Sequence, residues 1–373
     1  MSEKINRIIK VIESKYLSSK RPWIVGFSGG KDSTCTLQLI YAMLKNLPDK
    51  DRKTAVYVLS SNTMVETPYV SKHQKAVCEA IQKGAKKDKL PIEVNLLKPD
   101  ISDTFWVNVI GRGYPCPNRW FRWCTDRLKI KPMTNYIYKN IKINGEVLIV
   151  LGTRTSESAS RAKSMEKHSI SDSDFKSHNT IKGAFVYTPI EDLNEDEIWD
   201  YLLNNKPGWG GNNEELFKMY KGENAEIELV FNKNSPPTGH SRFGCWTCTV
   251  VEKDRAIESL IEEGHKEYIP LLNFRNELKE ARDNPEWRES YRRNQMYDKF
   301  YDEYYNFEKN CLGKDSLGPF KLEKRHEMLQ KLLSIEKELK KTVPDAELIT
   351  NEELDLIQLA WIYDGDDIES MEK

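Results

Sequence analysis

The sequence predicts an α/β protein: an open, mostly parallel sheet followed by a helical C-terminal domain. Three observations carry that reading. Short apolar runs alternate with stretches of helical periodicity through the first 250 residues. A glycine-rich turn joins the first such run to the next helix, the opening unit of an open α/β sheet. Beyond about residue 250 the strand signals stop, and polar helices studded with Leu, Ile, Phe and Tyr run to the end. Two domains are therefore expected, 1–250 and 251–373, which suits a chain of 373 residues.

Each element has its own signal. Ile5, Ile8, Ile9 and Ile12 recur at helical spacing and predict an amphipathic helix over 5–17. Arg21-Pro22 ends it. Trp23-Ile24-Val25-Gly26-Phe27 reads as a buried strand, and Thr34 to Lys45 as a helix carrying Leu37, Leu39, Ile40, Met43 and Leu44. Strands are expected at 54–59, 92–97 and 146–151, with a short one at 184–188; the unbroken apolar run of 146–151 is of the parallel type covered on both faces. Helices are expected at 69–83, at 127–140 despite Pro132, and at 195–203, capped from Asp192-Leu193-Asn194. Lys163 to Gly183 reads as a polar surface loop, and Asn232 to Gly244 as an irregular connection rich in Pro and Gly.

Composition narrows the function classes. Hydrophobic residues make up 39% and charged residues 31%, as in a soluble globular chain. The formal net charge of −1 excludes the whole surface as an electrostatic sink for nucleic acid, so any such surface is a local patch. No apolar run approaches the 18 residues of a membrane span, and no apolar segment follows the N-terminal charges as in a secretory signal. A cytoplasmic location is expected. Seven cysteines, an odd number in a large chain of this kind, argue for metal or thiol chemistry over a disulfide framework.

The glycine-rich turn is Ser28-Gly29-Gly30-Lys31-Asp32-Ser33. It follows a strand and opens a helix, where free backbone N–H groups and the helix dipole favour an anion. The glycines let the backbone approach a ligand, Ser28 and Ser33 add hydroxyls, and Asp32 is placed to help hold Mg²⁺. The spacing is not that of a Walker A loop. Gly152-Thr153-Arg154 follows the 146–151 strand and continues through Glu157 to Arg161. Arg154 and Arg161 offer planar forks to phosphate oxygens, with Glu157 to orient one of them. A capped surface helix with an ion pair is the plainer reading of the same residues.

Cys245-Trp246-Thr247-Cys248 is a C-x-x-C, and Cys116 and Cys124 bracket a segment rich in Arg and Trp. Four thiolates close a metal site. Seven residues separate the first pair, whereas zinc knuckles space theirs more tightly, and the aromatic, cationic surroundings suit an anionic iron–sulfur cluster. Zinc and unligated thiols are the alternatives. Cys35 and Cys78 lie on helices and read as core filling; Cys311 carries no signal. Between Phe105 and Asn135, Arg112, Arg119, Arg122, Arg127, Lys129 and Lys131 interleave with Trp106, Tyr114, Trp120, Phe121 and Trp123. Cations beside stacking platforms fit a nucleic-acid strand, or simply wrap a cluster and core.

The turn resembles the SGGxDS loop of the adenine-nucleotide α-hydrolase, or PP-loop, superfamily, which marks ATP cleavage between the α and β phosphates. Residues 152–158, Pro189-Ile190 and 196–202 are similar to the phosphoadenosine phosphosulfate (PAPS) reductase branch. Together with Tyr114 to Pro132 and Gly244 to Cys248, they resemble the DndC family of DNA phosphorothioation, over most of the chain to about residue 300. The resemblance implies a PP-loop fold and an ATP pyrophosphatase acting with ATP, Mg²⁺ and a 4Fe-4S cluster. It implies Asp32, Ser33 and Arg154 as catalytic residues. It also implies DNA, a cysteine desulfurase as sulfur source, and further subunits of a modification complex as partners. Two other enzymes share these features. A PAPS reductase typically uses a nucleophilic cysteine near its C-terminus, and no cysteine follows Cys311. An RNA-thiolating enzyme shares the loop and the cluster but targets a base.

Overall fold

The computed structural model describes residues 2–155, 175–214, 216–217, 244–290 and 317–371. They fall into two compact units. The first comprises Met1–Asn62, Tyr69–Lys98 and Lys129–Phe243; the second comprises Thr63–Pro68, Pro99–Leu128 and Gly244–Lys373. Each unit therefore draws on both sides of some chain crossings, and the second takes two segments from the N-terminal half.

The first unit is a six-stranded sheet in the order β3-β2-β1-β4-β6-β5. Its strands are β1 (Trp23–Gly26), β2 (Val56–Ser61), β3 (Ile92–Leu97), β4 (Val147–Val150), β5 (Lys176–Ser177) and β6 (Ala184–Tyr187). All pairings are parallel except β5 with β6. Alternate residues of the central strands go to opposite faces, as the pleat requires. Trp23, Val25, Leu148 and Val150 face one hydrophobic layer, and Ile24, Val147 and Ile149 the other. The first layer is completed by α1 (Glu3–Ser18), α2 (Lys31–Asn46), α3 (Pro68–Lys87) and α5 (Glu195–Asn204), the second by α4 (Lys131–Asn144). Cys35 and Cys78 fill the first layer, as expected, and burial pushes the Cys78 thiol up to about 11.

Strand order reverses between β1 and β4. From β1 the chain winds outward through β2 and β3, then returns to lay β4 on the other side of β1. In open α/β sheets a ligand crevice forms at such a point, outside the carboxyl ends of the strands. The two loops that leave those ends here are 27–30 and 151–155.

Local chemistry explains the boundaries. Ser2 caps α1, and Asn194 forms a capping box with Glu197 at α5. Pro132 sits in the first turn of α4, where its missing N–H costs nothing, so that helix begins at Lys131. The expected start at 127 is instead a π-helical turn, Thr125–Ile130. The edge strand β5 carries no periodicity over its two residues and was not foreseen.

The second unit is helical: α6 (Arg255–Glu262), α7 (Ile269–Asp283), α8 (Leu322–Leu339) and α9 (Asn351–Met371) pack around a π-helical turn, Val107–Gly111. Trp106 stacks on Phe274 with ring centroids 6.1 Å apart and donates its indole N–H to Leu348 O. Trp361 donates to Ile110 O, and Arg325 to Gly111 O. Among the described residues, no helix is long and apolar enough to cross a membrane.

Candidate functional site

The loop after β1 is built as the sequence implied. Gly29 has φ +80°, a left-handed conformation that glycine adopts without strain, and Gly30 is the N-cap of α2 with no side-chain cap of its own. The hydroxyls of Ser28 and Ser33 lie 3.0 Å apart; Ser33 donates to Gly30 O and accepts from the Ser28 N–H. The two serines thus tie the turn to the first turn of α2 and hold its backbone open toward the crevice.

The charges around this turn are not on the surface. Arg154 Nε donates to Asp32 Oδ1 at 2.6 Å, and Lys31 Nζ lies 3.3 Å from Asp32 Oδ2. Lys31 and Arg154 are 1% and 3% exposed, and Asp32 is 14% exposed. The acid is thus bracketed by two buried cations contributed by the loops at the strand-order reversal. Glu195, at the start of α5, lies 3.8 Å from Lys31 on its exposed side. Gly152 permits the close approach of the two loops: a Cβ there would meet Asp32 O at 2.7 Å and Thr36 Oγ1 at 2.9 Å. Thr155 anchors the end of the second loop, its N–H and hydroxyl both donating to Glu191 O. Ser28, Gly29, Gly30, Lys31, Asp32, Ser33, Gly152, Thr153 and Arg154 therefore all lie on the two loops at this point. Glu157 and Arg161 lie outside the described residues.

The second unit carries the cysteines. Cys116 is fully buried, and Cys124, Cys245 and Cys248 are partly exposed; all four are free thiols. Two direct links join the segments that bear them. Thr249 donates its hydroxyl to Pro117 O at 2.6 Å, and Arg282 Nη1 donates both to Pro117 O at 3.2 Å and to Thr249 O at 2.9 Å. Arg275, wholly buried, donates to Cys248 O at 2.8 Å, to Glu252 O at 3.0 Å and to Val251 O, and so fixes the far end of the C-x-x-C turn. The near end pairs with residues 63–68: Trp246 N–H bonds to Val65 O, and the Thr63 hydroxyl lies 3.2 Å from Cys245 Sγ. Within the turn, Cys248 N–H donates to Cys245 O at 3.0 Å.

Burial pushes the Cys116 thiol up to about 12, while Arg282 and then Arg288 pull it down and Cys124 pushes it further up. Arg288 donates to the backbone carbonyls of Gly318, Arg282 and Leu317, all neutral acceptors, and burial holds its pKa down at about 10. Asp283, paired with Arg282, adds to the upward push, so burial decides the outcome and the Cys116 thiol stays protonated in this setting. Among the described residues, no three or more His, Cys, Asp or Glu side chains are grouped to hold a single metal ion.

The cationic, aromatic stretch divides. Arg127 donates to Asp103, Asn108 and Tyr114, and Arg112 donates to Ser102 O and Asn108, so these two serve the interior of the second unit. Phe105 and Trp123 stack in the core at 5.7 Å. Arg119, Trp120 and Phe121 face solvent, with Trp120 90% exposed. Lys129 and Lys131 belong to the first unit. Arg282 and Arg288 both donate to backbone carbonyls, and Arg282 also pairs with Asp283. The roles of Arg275, Arg282, Thr249 and Thr63 carry no motif; only their fold neighbours reveal them.

Residues 22–251, more than half of the chain, match the phosphoadenosine phosphosulfate reductase domain family. The chain belongs to that family. It is also similar to an uncharacterized protein of Methanocaldococcus jannaschii, 27% identical over 245 residues, covering 65% of this chain and 39% of that protein. The chain thus spans about two fifths of that relative's length. Among solved structures it is similar to a PAPS reductase from Candida auris in a phosphate complex, at 12% identity, covering 64% of this chain and 98% of that one, with a TM-score of 0.36. The U34-tRNA thiolase NcsA from Methanococcus maripaludis, solved with its 4Fe-4S cluster, is 13% identical over 74% of this chain and 80% of its own, with a TM-score of 0.34. An NH₃-dependent NAD synthetase from Campylobacter jejuni gives 13% identity, 75% and 94% coverage, and a TM-score of 0.35. In this PAPS reductase domain family member the match covers the loops 27–30 and 151–155 and ends just past the C-x-x-C.

Proposed function

We propose that this protein is an ATP pyrophosphatase that activates a phosphate of the DNA backbone for replacement of an oxygen by sulfur. The observation that carries the reading is the lacing of the two cysteine-bearing segments by Thr249 and Arg282, in a chain whose other unit presents a phosphate loop. A PP-loop enzyme that only makes amides or nucleotides has no use for four cysteines on two bonded segments.

The chemistry of the first unit follows from its charges. A non-bridging oxygen of the DNA phosphodiester attacks the α-phosphorus of ATP, and the bond to the β-phosphate breaks. The electron pair leaves with pyrophosphate, and a phosphoanhydride of DNA with AMP remains. Negative charge develops on the leaving pyrophosphate, where the N–H groups at the start of α2, Lys31 and Arg154 stabilise it. Ser28 and Ser33 orient the turn, and Asp32 holds the two cations and would be the residue to hold a Mg²⁺ arriving with ATP, which would offset phosphate charge. A persulfide sulfur, originating in a cysteine desulfurase and delivered within a multisubunit complex, then attacks the activated phosphorus and expels AMP, and a dithiol reductant supplies the two electrons that cleave the S–S bond and release the carrier thiol. Sulfur stands where the oxygen was.

The second unit fits a 4Fe-4S cluster by its donor chemistry. Four cysteines lie on two segments bonded to each other, and the guanidinium groups of Arg282 and Arg288 lower the cost of a thiolate at Cys116. Cys116, Cys124, Cys245 and Cys248 would hold it, and when bound it supplies electron transfer and affinity for sulfur. Thr249, Arg275 and Arg282 fix the backbone of those cysteines whether or not the group is present.

The reading is tested by incubating anaerobic holoenzyme with α-labelled ATP and, separately, DNA, RNA or PAPS. AMP and pyrophosphate released in a DNA-dependent manner are expected. Turnover that depends on PAPS and yields sulfite would contradict the proposal.

A further inference from the structure

The second unit contains a cavity of about 690 Å³ that the chemistry above leaves unused. Its wall includes Arg112, Tyr114, Asn118, Phe121, Arg282 and Arg288. That volume lies within the 300–1,000 Å³ typical of sites that enclose a small molecule. Its one lining carboxylate, Asp283, is already paired with Arg282. Three guanidinium groups against one carboxylate leave the wall positive. Tyr114 accepts a hydrogen bond from Arg127 and keeps its own proton to donate. The cavity therefore offers positive charge, a hydroxyl donor and aromatic faces together.

The rim says what kind of molecule carries the matching groups. Asn118 Oδ1 accepts the N–H groups of both Trp120 and Phe121 at 2.8 Å, so one turn fixes the backbone beneath two adjacent rings. Phe121 lines the cavity and is 45% exposed; Trp120 lies outside the lining and is 90% exposed. Exposing a large apolar ring to this extent leaves a stacking surface whose face meets no ring or cation among the described residues. Arg119, also exposed, precedes them. The turn is braced from below: Phe320 N–H donates to Gly113 O at 2.7 Å, and Gly113 has φ +69° with no room for a Cβ against Phe320 O.

We propose that this cavity seats one nucleotide of a single nucleic-acid strand, with its base against Phe121, its phosphate toward the arginines, and the neighbouring base on Trp120. A free nucleotide shares the base and the phosphate but needs no second ring outside the cavity. This deepens the function proposed above and rests on it for the assignment of the strand as DNA. The cavity wall includes Pro115, next to Cys116, so the seated nucleotide lies one residue along the chain from a proposed cluster ligand.

The test uses the full-length holoenzyme and a single-stranded 12-mer carrying one 5-iododeoxyuridine, with the matching ribonucleotide strand in parallel. After irradiation, the cross-linked peptide is mapped by mass spectrometry, and affinity is read by fluorescence anisotropy with iron content checked for each variant. Adducts on Tyr114 or Phe121 are expected. Phe121→Ala should weaken strand binding about 5- to 100-fold. Trp120→Ala should weaken the strand but leave binding of the mononucleotide dTMP unchanged. Adducts confined to peptides outside 112–122 and 282–288, or unchanged affinity in Phe121→Ala, would overturn the proposal. Full competition by dTMP, with Trp120→Ala silent, would overturn the strand in favour of a free nucleotide. Seating of RNA but not DNA would leave the cavity standing and remove the DNA reading instead.

Discussion

The Asp32 bracket makes a quantitative prediction. Asp32→Asn keeps the shape of the side chain but removes the charge that lies between Arg154 at 2.6 Å and Lys31 at 3.3 Å. Both cations are almost wholly buried, so they cannot recover hydration by turning outward. Breaking a buried pair on one side costs about 3–5 kcal/mol, because a buried charge is left uncompensated. At about 2–4 °C per kcal/mol for a unit of this size, the variant should unfold ~6–20 °C below wild type. Pyrophosphate is the natural replacement charge at the start of α2. At a hundredfold excess over Kd it adds about 2.7 kcal/mol, and its effect on the variant should exceed that on wild type. The assay is thermal unfolding followed by circular dichroism, with and without pyrophosphate, beside pyrophosphate release from ATP. A variant that melts within about 2 °C of wild type, or that pyrophosphate does not rescue, would refute the electrostatic account of this loop.

Three further outcomes are expected. Serine at Cys116, Cys124, Cys245 or Cys248 should abolish iron binding in anaerobically prepared protein, whereas Cys35→Ser and Cys78→Ser should retain it; one zinc and no iron in the wild type would contradict the cluster. Burial lifts the Asp254 carboxyl from its ordinary value to about 6, even though it caps α6 through the N–H groups of Ile257 and Ala256. Its folded pKa lies above the unfolded value, so its protonation stabilises the fold: the contribution is complete below about pH 4 and is lost as pH rises through 6. Asp254→Asn caps equally well without the charge, so its unfolding free energy from urea titration should gain on wild type by roughly 3 kcal/mol between pH 4 and pH 7; a pH-independent difference would contradict this. Arg119→Gln should lower the salt dependence of single-strand binding by about 0.7 in log–log slope and weaken all sequences alike, as read by anisotropy across a salt series.

The α/β unit was legible because its signals are local. Each strand expected from an apolar run exists within a residue or two, and the loop after β1 sits where its glycines and serines placed it. The place of Arg154 beside the first loop was legible from its position after β4, but its burial against Asp32 was not, since that contact joins residues brought together by strand order. The same limit hid the lacing of the cysteine segments. Thr249, Arg275 and Arg282 act through backbone carbonyls, and any carbonyl looks alike in a sequence. Composition made the stretch from 105 to 135 one cationic patch. Its parts answer to different demands: Arg112 and Arg127 satisfy buried acceptors, the turn holding Arg119, Trp120 and Phe121 is turned outward, and Lys131 is exposed on the first unit.

The central claim is that ATP cleavage here serves sulfur transfer to the backbone of DNA. It is tested most directly by mass spectrometry of nuclease-digested DNA and RNA from cells with and without this gene. The account predicts a dinucleotide joined by a sulfur-containing phosphate linkage, present in DNA only when the gene is intact and lost in Asp32→Asn cells. Sulfur confined to RNA bases, or DNA digests identical in the two strains, would contradict it.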